Sequence, residues 1–559
     1  MTTFATDEDG VWDLMVRLVD DSVRRCETGG LSFADSFVEA GKESRLELTD
    51  EMSEFLLGKL SMNHLSRCWM VVLLPSTLAF LSAISLDSAW ADGPATGDHS
   101  RPNIVLIVVD DLGWNDVGYH NPEMHTPHLD ELVRQNVELN RFYVAPQCSP
   151  TRAGLLTGRY PHRFGMLDHV ISPTQTDGLP ESETTIAEML ADAGYQHRAM
   201  MGKWHLGLRS KLFHPMNHGF TEFYGHYNGA IDYFRRVRRG EPDWHRNDQS
   251  IVESGYSTEL LTEEATRFIK HNSAGESPYF LYLAYNSPHS PMQALQGDLD
   301  IEGFDKSQGR IASDDARLAK REGDPDYGRS GTGNSLRQTF RANVRALDRG
   351  IGRVMASIER SGESDNTLVI FTSDNGGIPN HGGSNVPLRG NKFEIYEGGV
   401  RVVAALRWPA VFPKPLVNED TLAYIDVWPT IAKVAGVQNF DQPIDGENML
   451  PKLMEESAAW SRTLYLRESG VIHGEWKLVA TDKKRKQPAK PPELFHLRHD
   501  PQEETDLANQ KPAKVRELLK LAKTFRELKG PAAESKYDGP WPPKNWDLPE
   551  EPSSRMQDR

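Results

Sequence analysis

The chain has 559 residues, 38% of them hydrophobic and 26% charged, with 63 basic and 80 acidic side chains and a formal charge of −17. This composition supplies enough apolar residues for large buried cores, which excludes a wholly disordered chain, and its acidic balance argues against general binding to nucleic acid. The three cysteines, Cys26, Cys68 and Cys148, are too few for a disulfide framework.

Residues 1–61 are acidic and carry no strong strand or hairpin pattern. Met62 then precedes Arg67, an apolar run from Cys68 to Ile84, and Ala89-Trp90-Ala91 before Asp92. A basic start, an apolar middle and small residues at the end read as a secretory signal over 62–91. The apolar run holds Pro75, Ser76 and Thr77 and is short for a membrane span. The expected protein therefore starts at Met62, with 1–61 a non-native or disordered extension, has no stable membrane span, and acts in the periplasm or outside the cell. Cleavage would leave Cys148 as the remaining cysteine, a liability in an oxidising compartment unless it is buried or chemically converted.

Ile104–Val109 is a continuous β-branched run, the pattern of a strand buried on both faces. Helical periodicity covers Pro127–Arg134 and Ile186–Ala193, the second ended by Gly194. A weaker strand run at His197–Met201 precedes a helix over Leu260–His271 and a strand at Tyr279–Tyr285. Residues 302–334, rich in Gly, Asp, Arg and Ser, read as a long surface loop before a helix over Ser335–Ser361. Strands at Leu368–Thr372 and Val400–Leu406 and a helix over Asp426–Ala435 come next. Past residue 460, Trp476–Ala480 and Glu493–Leu497 read as short strands flanking the basic, Pro-rich loop Lys483–Pro492, a solvated hairpin tip. A helix over Ala513–Leu528 and a Pro-rich tail complete the chain. Strands alternating with helices predict an α/β fold with a large, mostly parallel sheet flanked by helices over 101–460. A smaller α+β subdomain over 461–540 and a tail over 541–559 complete the expected organisation.

The residues just past each strand are chemically pointed. Asp110 and Asp111 come after the first, His289 after Tyr279–Tyr285, Lys203 and His205 after His197–Met201, and Asp374 and Asn375 after Leu368–Thr372. Ligands in open α/β sheets bind beyond the carboxyl ends of strands, so four segments supply one cleft. Three carboxylates and a carboxamide form an all-oxygen set suited to calcium or magnesium. Cys148-Ser149-Pro150-Thr151-Arg152 leads into Leu156-Thr157-Gly158-Arg159, with Pro150 suited to a first helical turn. Cys148 then lies at a helix N-terminus, where anions are favoured and a thiolate nucleophile is one reading.

The Cys148-x-Pro150-x-Arg152 and Leu156–Arg159 pair resembles the maturation signature of the type I, formylglycine-dependent sulfatases. The resemblance continues through Val109–Gly113, Gly202–Gly207, Ser373–Gly377, Leu388–Lys392 and Leu494–Leu507. Asp111–Gly118 and Glu397–Arg401 look closest to the arylsulfatase B-like, N-acetylgalactosamine-4-sulfatase branch. The resemblance implies an alkaline-phosphatase-like sandwich fold and conversion of Cys148 to Cα-formylglycine by a formylglycine-generating or sulfatase-maturating enzyme. It implies one Ca2+ ion held by Asp110, Asp111, residue 148, Asp374 and Asn375. Arg152 and Lys203 would orient the formylglycine hydrate, Lys203 and Lys392 would hold sulfate oxygens, and Asp374 would help deprotonate the attacking hydroxyl. His289 would protonate the leaving alcohol and His205 would take the proton that releases sulfate from the sulfo-enzyme. The implied substrate is a sulfated carbohydrate or aryl sulfate.

Gly225–Phe234 and Trp244-His245-Arg246, aromatic and histidine-bearing, are expected at the substrate mouth. Two competing functions remain at this level: a phosphate or phosphonate ester hydrolase on a similar metal cradle, and a binder of sulfated glycan without turnover.

Overall fold

The apolar run Asn103–Val109 forms strand β1, with all seven residues buried. Its alternate residues serve two different cores: Ile104, Leu106 and Val108 pack into one layer, Val105, Ile107 and Val109 into the other. That two-faced burial is why the run is continuously apolar. The computed structural model describes residues 101–534 apart from 168–169, 174, 239, 274, 276, 306–333, 455–461, 468–469 and 481–490. The expected extension and signal over 1–91, with Cys26 and Cys68, lie outside the described residues, as do most of the 302–334 loop, the basic cluster and the tail.

The main sheet adds β2 (Val137–Leu139), β3 (His197–Lys203), β4 (Glu222–His226), β5 (His245–Arg246), β6 (Gln249–Ser250), β7 (Tyr279–Ala284), β8 (Thr367–Ser373), β9 (Ala404–Arg407) and β10 (Leu416–Asn418). Its order is β6-β5-β4-β3-β7-β1-β8-β9-β2-β10. The central block β4-β3-β7-β1-β8 is parallel throughout. Antiparallel pairings flank it on both sides, and β10 returns parallel to β2. The expected parallel sheet is thus the centre of a ten-stranded mixed one.

Helices cover both faces: α1 (Pro127–Arg134), α2 (Cys148–Thr157), α3 (Ile186–Asp192), α4 (Ser257–Asn272), α5 (Leu336–Arg360) and α6 (Val427–Val434). Leu261 and Phe268 of α4 and Leu347 and Ile351 of α5 share the core that holds Val105. Leu155 of α2, Leu190 of α3 and Trp428 of α6 share the other. The start of α5 is fixed by Ser335 and Gln338, whose side chains each accept a hydrogen bond from the other's backbone N–H.

The run Val400–Leu406, expected as one strand, is divided. Glu397–Val400 is a helical turn, Arg401–Val402 pairs with Phe142–Tyr143 in a small separate sheet, and Ala404–Arg407 joins the main sheet antiparallel to β8. A uniformly buried apolar run carries no alternation, so it does not show where one sheet ends and the next begins. The C-terminal subdomain is an antiparallel sheet, β11 (Thr463–Arg467), β12 (Gly470–His473), β13 (Trp476–Val479) and β14 (Glu493–His496), covered by α7 (Pro512–Glu527). Leu518 and Ala522 of α7 pack against Val471, Leu478 and Leu494 of that sheet.

Gly202, near the carboxyl end of β3, has φ +107, and a Cβ there would lie 1.9 Å from the Ala284 carbonyl oxygen. Only glycine lets β3 and β7 approach closely at the rim where Lys203 leaves the sheet.

Candidate active site

All the polar residues expected beyond the central strands converge. Asp110 and Asp111 lie just past β1, Lys203 ends β3, His289 lies past β7, and Asp374 and Asn375 lie just past β8. Cys148 opens α2, as the Pro150 argument predicts. The cysteine is fully buried, and so are Asp110, Arg152, Lys203, Asp374 and Asn375.

The three carboxylates are matched by three cations. Lys203 Nζ donates to Asp110 Oδ2 at 2.6 Å, and Lys392 Nζ donates to Asp111 Oδ1 at 2.5 Å. Arg152 grips Asp374 Oδ2 through Nε at 3.0 Å and a terminal nitrogen at 2.8 Å. Its other terminal nitrogen donates to the Lys203 carbonyl at 2.9 Å, tying α2 to the end of β3. Neither oxygen of Asp374 is idle, because Oδ1 accepts the Asp111 backbone N–H at 3.3 Å. The Cys148 thiol donates to Asp110 Oδ1 at 3.6 Å and accepts from Lys392 Nζ at 3.0 Å.

Burial raises the Asp110 carboxyl to about 7, with Asp374 and Asp111 adding to the rise and Lys203 opposing it. Burial also pushes Asp111 upward, but Lys392, His289 and Lys203 outweigh it and hold that carboxyl below the usual range. The Cys148 thiol is pushed up to about 12, first by burial and then by Asp374. Burial thus opposes the thiolate that the N-terminus of α2 favours.

Burial favours the neutral form of both histidines. Burial lowers His205 well below its ordinary value, and Lys203 and Arg152 reinforce the shift. Its Nε2 lies 2.9 Å from the Ile171 carbonyl and so carries the proton, leaving Nδ1 buried as an unpartnered acceptor. Ser149 Oγ donates to the His205 carbonyl at 2.9 Å and accepts from the Ile171 backbone N–H at 3.1 Å, fixing that histidine beside the start of α2. Burial and the two lysines also lower His289, against the pull of Asp111. His289 Nε2 lies 3.6 Å from Asp111 Oδ2, and its side chain is 16% exposed, so it stands at the mouth. Asp111 and His205 both have left-handed backbones, φ +66 and +57, a cost tolerated where the surroundings dictate the side-chain position.

The donor chemistry fits a hard cation. Single ligand atoms of Asp110, Asp111, Cys148 and His289 lie within 4.8 Å of one another. Asp111 Oδ2 and Asn375 Oδ1 are buried without a hydrogen-bond partner, although Asn375 Nδ2 donates to Asp111 Oδ1 at 2.6 Å. Two unpartnered carbonyl-type oxygens among carboxylates suit calcium or magnesium.

The expected mouth segment behaves differently. Tyr227, Tyr233, Trp244 and His245 are buried, and Phe234 and Arg246 are the exposed members. The tyrosines and tryptophan pack as core, and Tyr233 serves the site indirectly, its hydroxyl donating to the Asn286 and His289 carbonyls at 2.9 and 2.7 Å. Aromatic residues on a connecting segment have the same sequence appearance whether they face solvent or a core. Two residues carry no site signal in the sequence: Ser149, a bracket for His205, and Phe393, an exposed ring beside Lys392.

Comparison with known proteins identifies the family. The sulfatase family model matches residues 102–437. Arylsulfatase J of Mus musculus is 33% identical over 369 residues, covering 64% of this chain and 57% of that protein. N-acetylgalactosamine-6-sulfatase of Mus musculus is 33% identical over 404 residues, covering 68% of this chain and 70% of that protein. The crystal structure of Ps i-CgsB in complex with k-i-k-neocarrahexaose is 28% identical with a TM-score of 0.66, covering 77% of this chain and 94% of that one. PsFucS1 sulfatase from Pseudoalteromonas sp., at 21% identity, shares the fold with a TM-score of 0.60 over 77% of this chain and 91% of that one. These proteins carry more than one branch name, so they speak for the family as a whole. With residues 102–437 matched by the family model, and 33% of the aligned residues identical to each of the two mouse sulfatases, the chain belongs to the sulfatase family.

Proposed function

We propose that the protein hydrolyses sulfate esters of carbohydrates, with Cys148 converted to Cα-formylglycine and one calcium ion in the carboxylate cluster. The observation that supports this most is the buried constellation around Cys148: three carboxylates, three cations and two histidines at the carboxyl ends of parallel strands. Asp110, Asp111, Asp374, Asn375 and an oxygen on residue 148 would hold the ion, which supplies Lewis-acid polarisation of the sulfate oxygens when bound. A formylglycine hydrate offers a hard oxygen nucleophile where an unconverted thiol offers soft sulfur.

The chain's own residues do the rest. Lys203 and Lys392 bring ammonium groups to the tetrahedral anion and stabilise charge on its oxygens. Arg152 fixes Asp374 and the end of β3, holding residue 148 and the lysine in register. His289, at the mouth, is placed to protonate the departing sugar oxygen, a poor leaving group without a proton. His289 Nδ1 lies 2.5 Å from the Ser290 carbonyl and so carries the neutral ring's proton; Nε2 gains one to give when the ring is protonated, a form the charge of a sulfated substrate favours. His205 offers Nδ1 as the base that regenerates the carbonyl.

Maturation in this reading requires a formylglycine-generating partner, and the periplasmic or secreted location rests on the sequence over 62–91. No helix among the described residues is long and apolar enough to cross a membrane.

The kinetic test uses protein co-expressed with the maturation enzyme. Matched 4-nitrophenyl sulfate and phosphate should differ in kcat/KM by about a hundredfold or more in favour of sulfate, a ratio within reach of differential transition-state binding. Preference for phosphate would replace this reading with the ester-phosphatase one.

Calcium can be tested without turnover. Removing it with EGTA should lower the melting temperature by about 3–6 °C, and added calcium should restore it, because a ligand bound to the folded state alone stabilises by mass action. A melting curve unmoved by EGTA and by calcium would remove the ion from the proposal.

A further inference from the structure

We propose that Phe393 is a specificity-determining platform against which the sugar ring carrying the sulfate ester stacks; this rests on the sulfate-ester reading of the pocket. Lys392 and Phe393 are adjacent in the chain but differ sharply in placement. Lys392 is buried, with its ammonium on Asp111 and Cys148. Phe393 is 45% exposed, and its ring centroid lies 5.6 Å from that same ammonium. The ring therefore stands at the outer side of a cation whose inner side reaches residue 148.

The backbone at Phe393 is left-handed, φ +78. A bulky L-residue is disfavoured there, and glycine would adopt the conformation freely. Three bonds hold the loop in place. The Phe393 N–H donates to the Pro146 carbonyl at 2.8 Å, two residues before Cys148. The Lys392 N–H donates to the Gly377 carbonyl at 3.3 Å, two residues past Asn375. The Glu394 N–H donates to the Asn391 carbonyl at 3.0 Å. The backbone that carries the ring is thus tied to both the nucleophile segment and the carboxylate segment.

A large apolar side chain in a strained, exposed position gains little from folding, which makes it a candidate surface for a ligand to dock on. The docking group is constrained by the pocket. A sulfate held by Lys203 and Lys392 points its ester oxygen, and the ring attached to it, outward past the Lys392 ammonium. Phe393 offers an exposed aromatic face 5.6 Å from that ammonium. The C–H face of a pyranose is apolar and fits an aromatic face, while its hydroxyls stay free for polar partners. His289, partly exposed, lies on the Asp111 side of the pocket, its Nε2 3.6 Å from Asp111 Oδ2. The ring and the imidazole would hold the sugar between them.

The test compares matured wild type with Phe393→Ala, Phe393→Gly and Phe393→Trp. Substrates are a panel of galactose, glucosamine and N-acetylgalactosamine sulfates, with ethyl sulfate as a control that has the ester but no ring. Phe393→Ala should raise KM for the best sugar about three- to tenfold, the scale of one aromatic contact, with kcat nearly unchanged. Ethyl sulfate kinetics should not move. Phe393→Trp should restore the sugar KM, and Phe393→Gly should show the same KM loss without a lower melting temperature. An unchanged sugar KM in Phe393→Ala overturns the proposal. So does an equal kcat loss on sugar and ethyl sulfate, which would mean that Phe393 acts only by placing Lys392. If wild type turns over no sulfate ester, the pocket reading fails instead. Calorimetric binding of the same sugars to protein with unconverted Cys148 then decides Phe393 separately: weaker binding in Phe393→Ala supports it, equal binding overturns it.

Discussion

Cys148→Ala should lower turnover of sulfate esters by about ten-thousandfold or more while leaving the fold intact, since removing a covalent nucleophile from a positioned site costs on this scale. The side chain is buried, and alanine replaces a small group with a smaller one at the first residue of α2, so the structural cost is modest. The chemical cost is not. Sγ is the atom on which Asp110 and Lys392 converge. The unconverted thiol is pushed up to about 12, so cysteine as translated supplies almost no nucleophile at pH 7. Conversion replaces the sulfur and two hydrogens of the side chain with a single oxygen, and the peptide containing residue 148 becomes lighter by that difference. Mass spectrometry of this peptide and turnover by the same preparation should rise together with the maturation enzyme. Turnover in Cys148→Ala within about a hundredfold of wild type would place the nucleophile elsewhere.

The pocket was legible because its residues sit next to strong local signals. Asp110 and Asp111 come directly after a run of β-branched residues too apolar to be anything but buried, and Cys148 precedes Pro150, which marks a helix start. Strand ends and helix starts are where α/β sheets gather ligands, so position along the chain already implied position in space. Less was legible where meaning depends on partners far away in sequence. Val402 and Ala404 belong to different sheets because Phe142 pairs with one and Thr372 with the other, and neither partner leaves a trace in the run itself. The edge strands β5 and β6 are two residues each, below any periodicity. Trp244 reads as a loop aromatic but packs against Tyr224 and donates from Nε1 to Glu253 at 2.6 Å. Phe393 shows the reverse: beside the expected Lys392, its exposure and left-handed backbone are set by the loop's hydrogen bonds, not by residue type.

Lys477→Met should destabilise the protein by about 3–5 kcal/mol, the cost of stripping one partner from a buried ionic group. Lys477 lies on β13 of the C-terminal sheet and is fully buried. Its ammonium lies 2.7 Å from Glu397 Oε1 and 2.9 Å from Glu503 Oε1. Both carboxylates are also bonded elsewhere, Glu397 to the Tyr143 hydroxyl at 2.9 Å and Glu503 to the Glu397 backbone N–H at 2.6 Å. Glu397 opens the turn whose Gly399 carbonyl accepts the Gly376 N–H at 3.2 Å, and Gly398 donates to the Arg389 carbonyl at 2.7 Å. The C-terminal subdomain therefore braces the two loops that carry Asn375 and Lys392, with Lys477 as its buried charge and Arg389 and Tyr396 adding bonds to Glu493. Methionine keeps the length and removes the charge, leaving two carboxylates facing each other in the interior. These shifts set the sign of the pH dependence. Burial already raises Glu503 to about 7, with Lys477 pulling it down and Glu397 pushing it up. A carboxyl raised in the folded state contributes fully below its unfolded value and loses that contribution as pH rises through its folded one. Without Lys477 the folded value climbs further, so the variant's deficit should be small near pH 5, where the Glu503 carboxyl can take a proton, and large near pH 8. Thermal unfolding of wild type, Lys477→Met and the double variant Lys477→Met with Glu503→Gln at the two pH values measures this. The double variant should recover part of the loss at pH 8. A deficit of equal size at both pH values would mean that Lys477 contributes packing alone, and that the brace behind the Lys392 loop does not depend on charge.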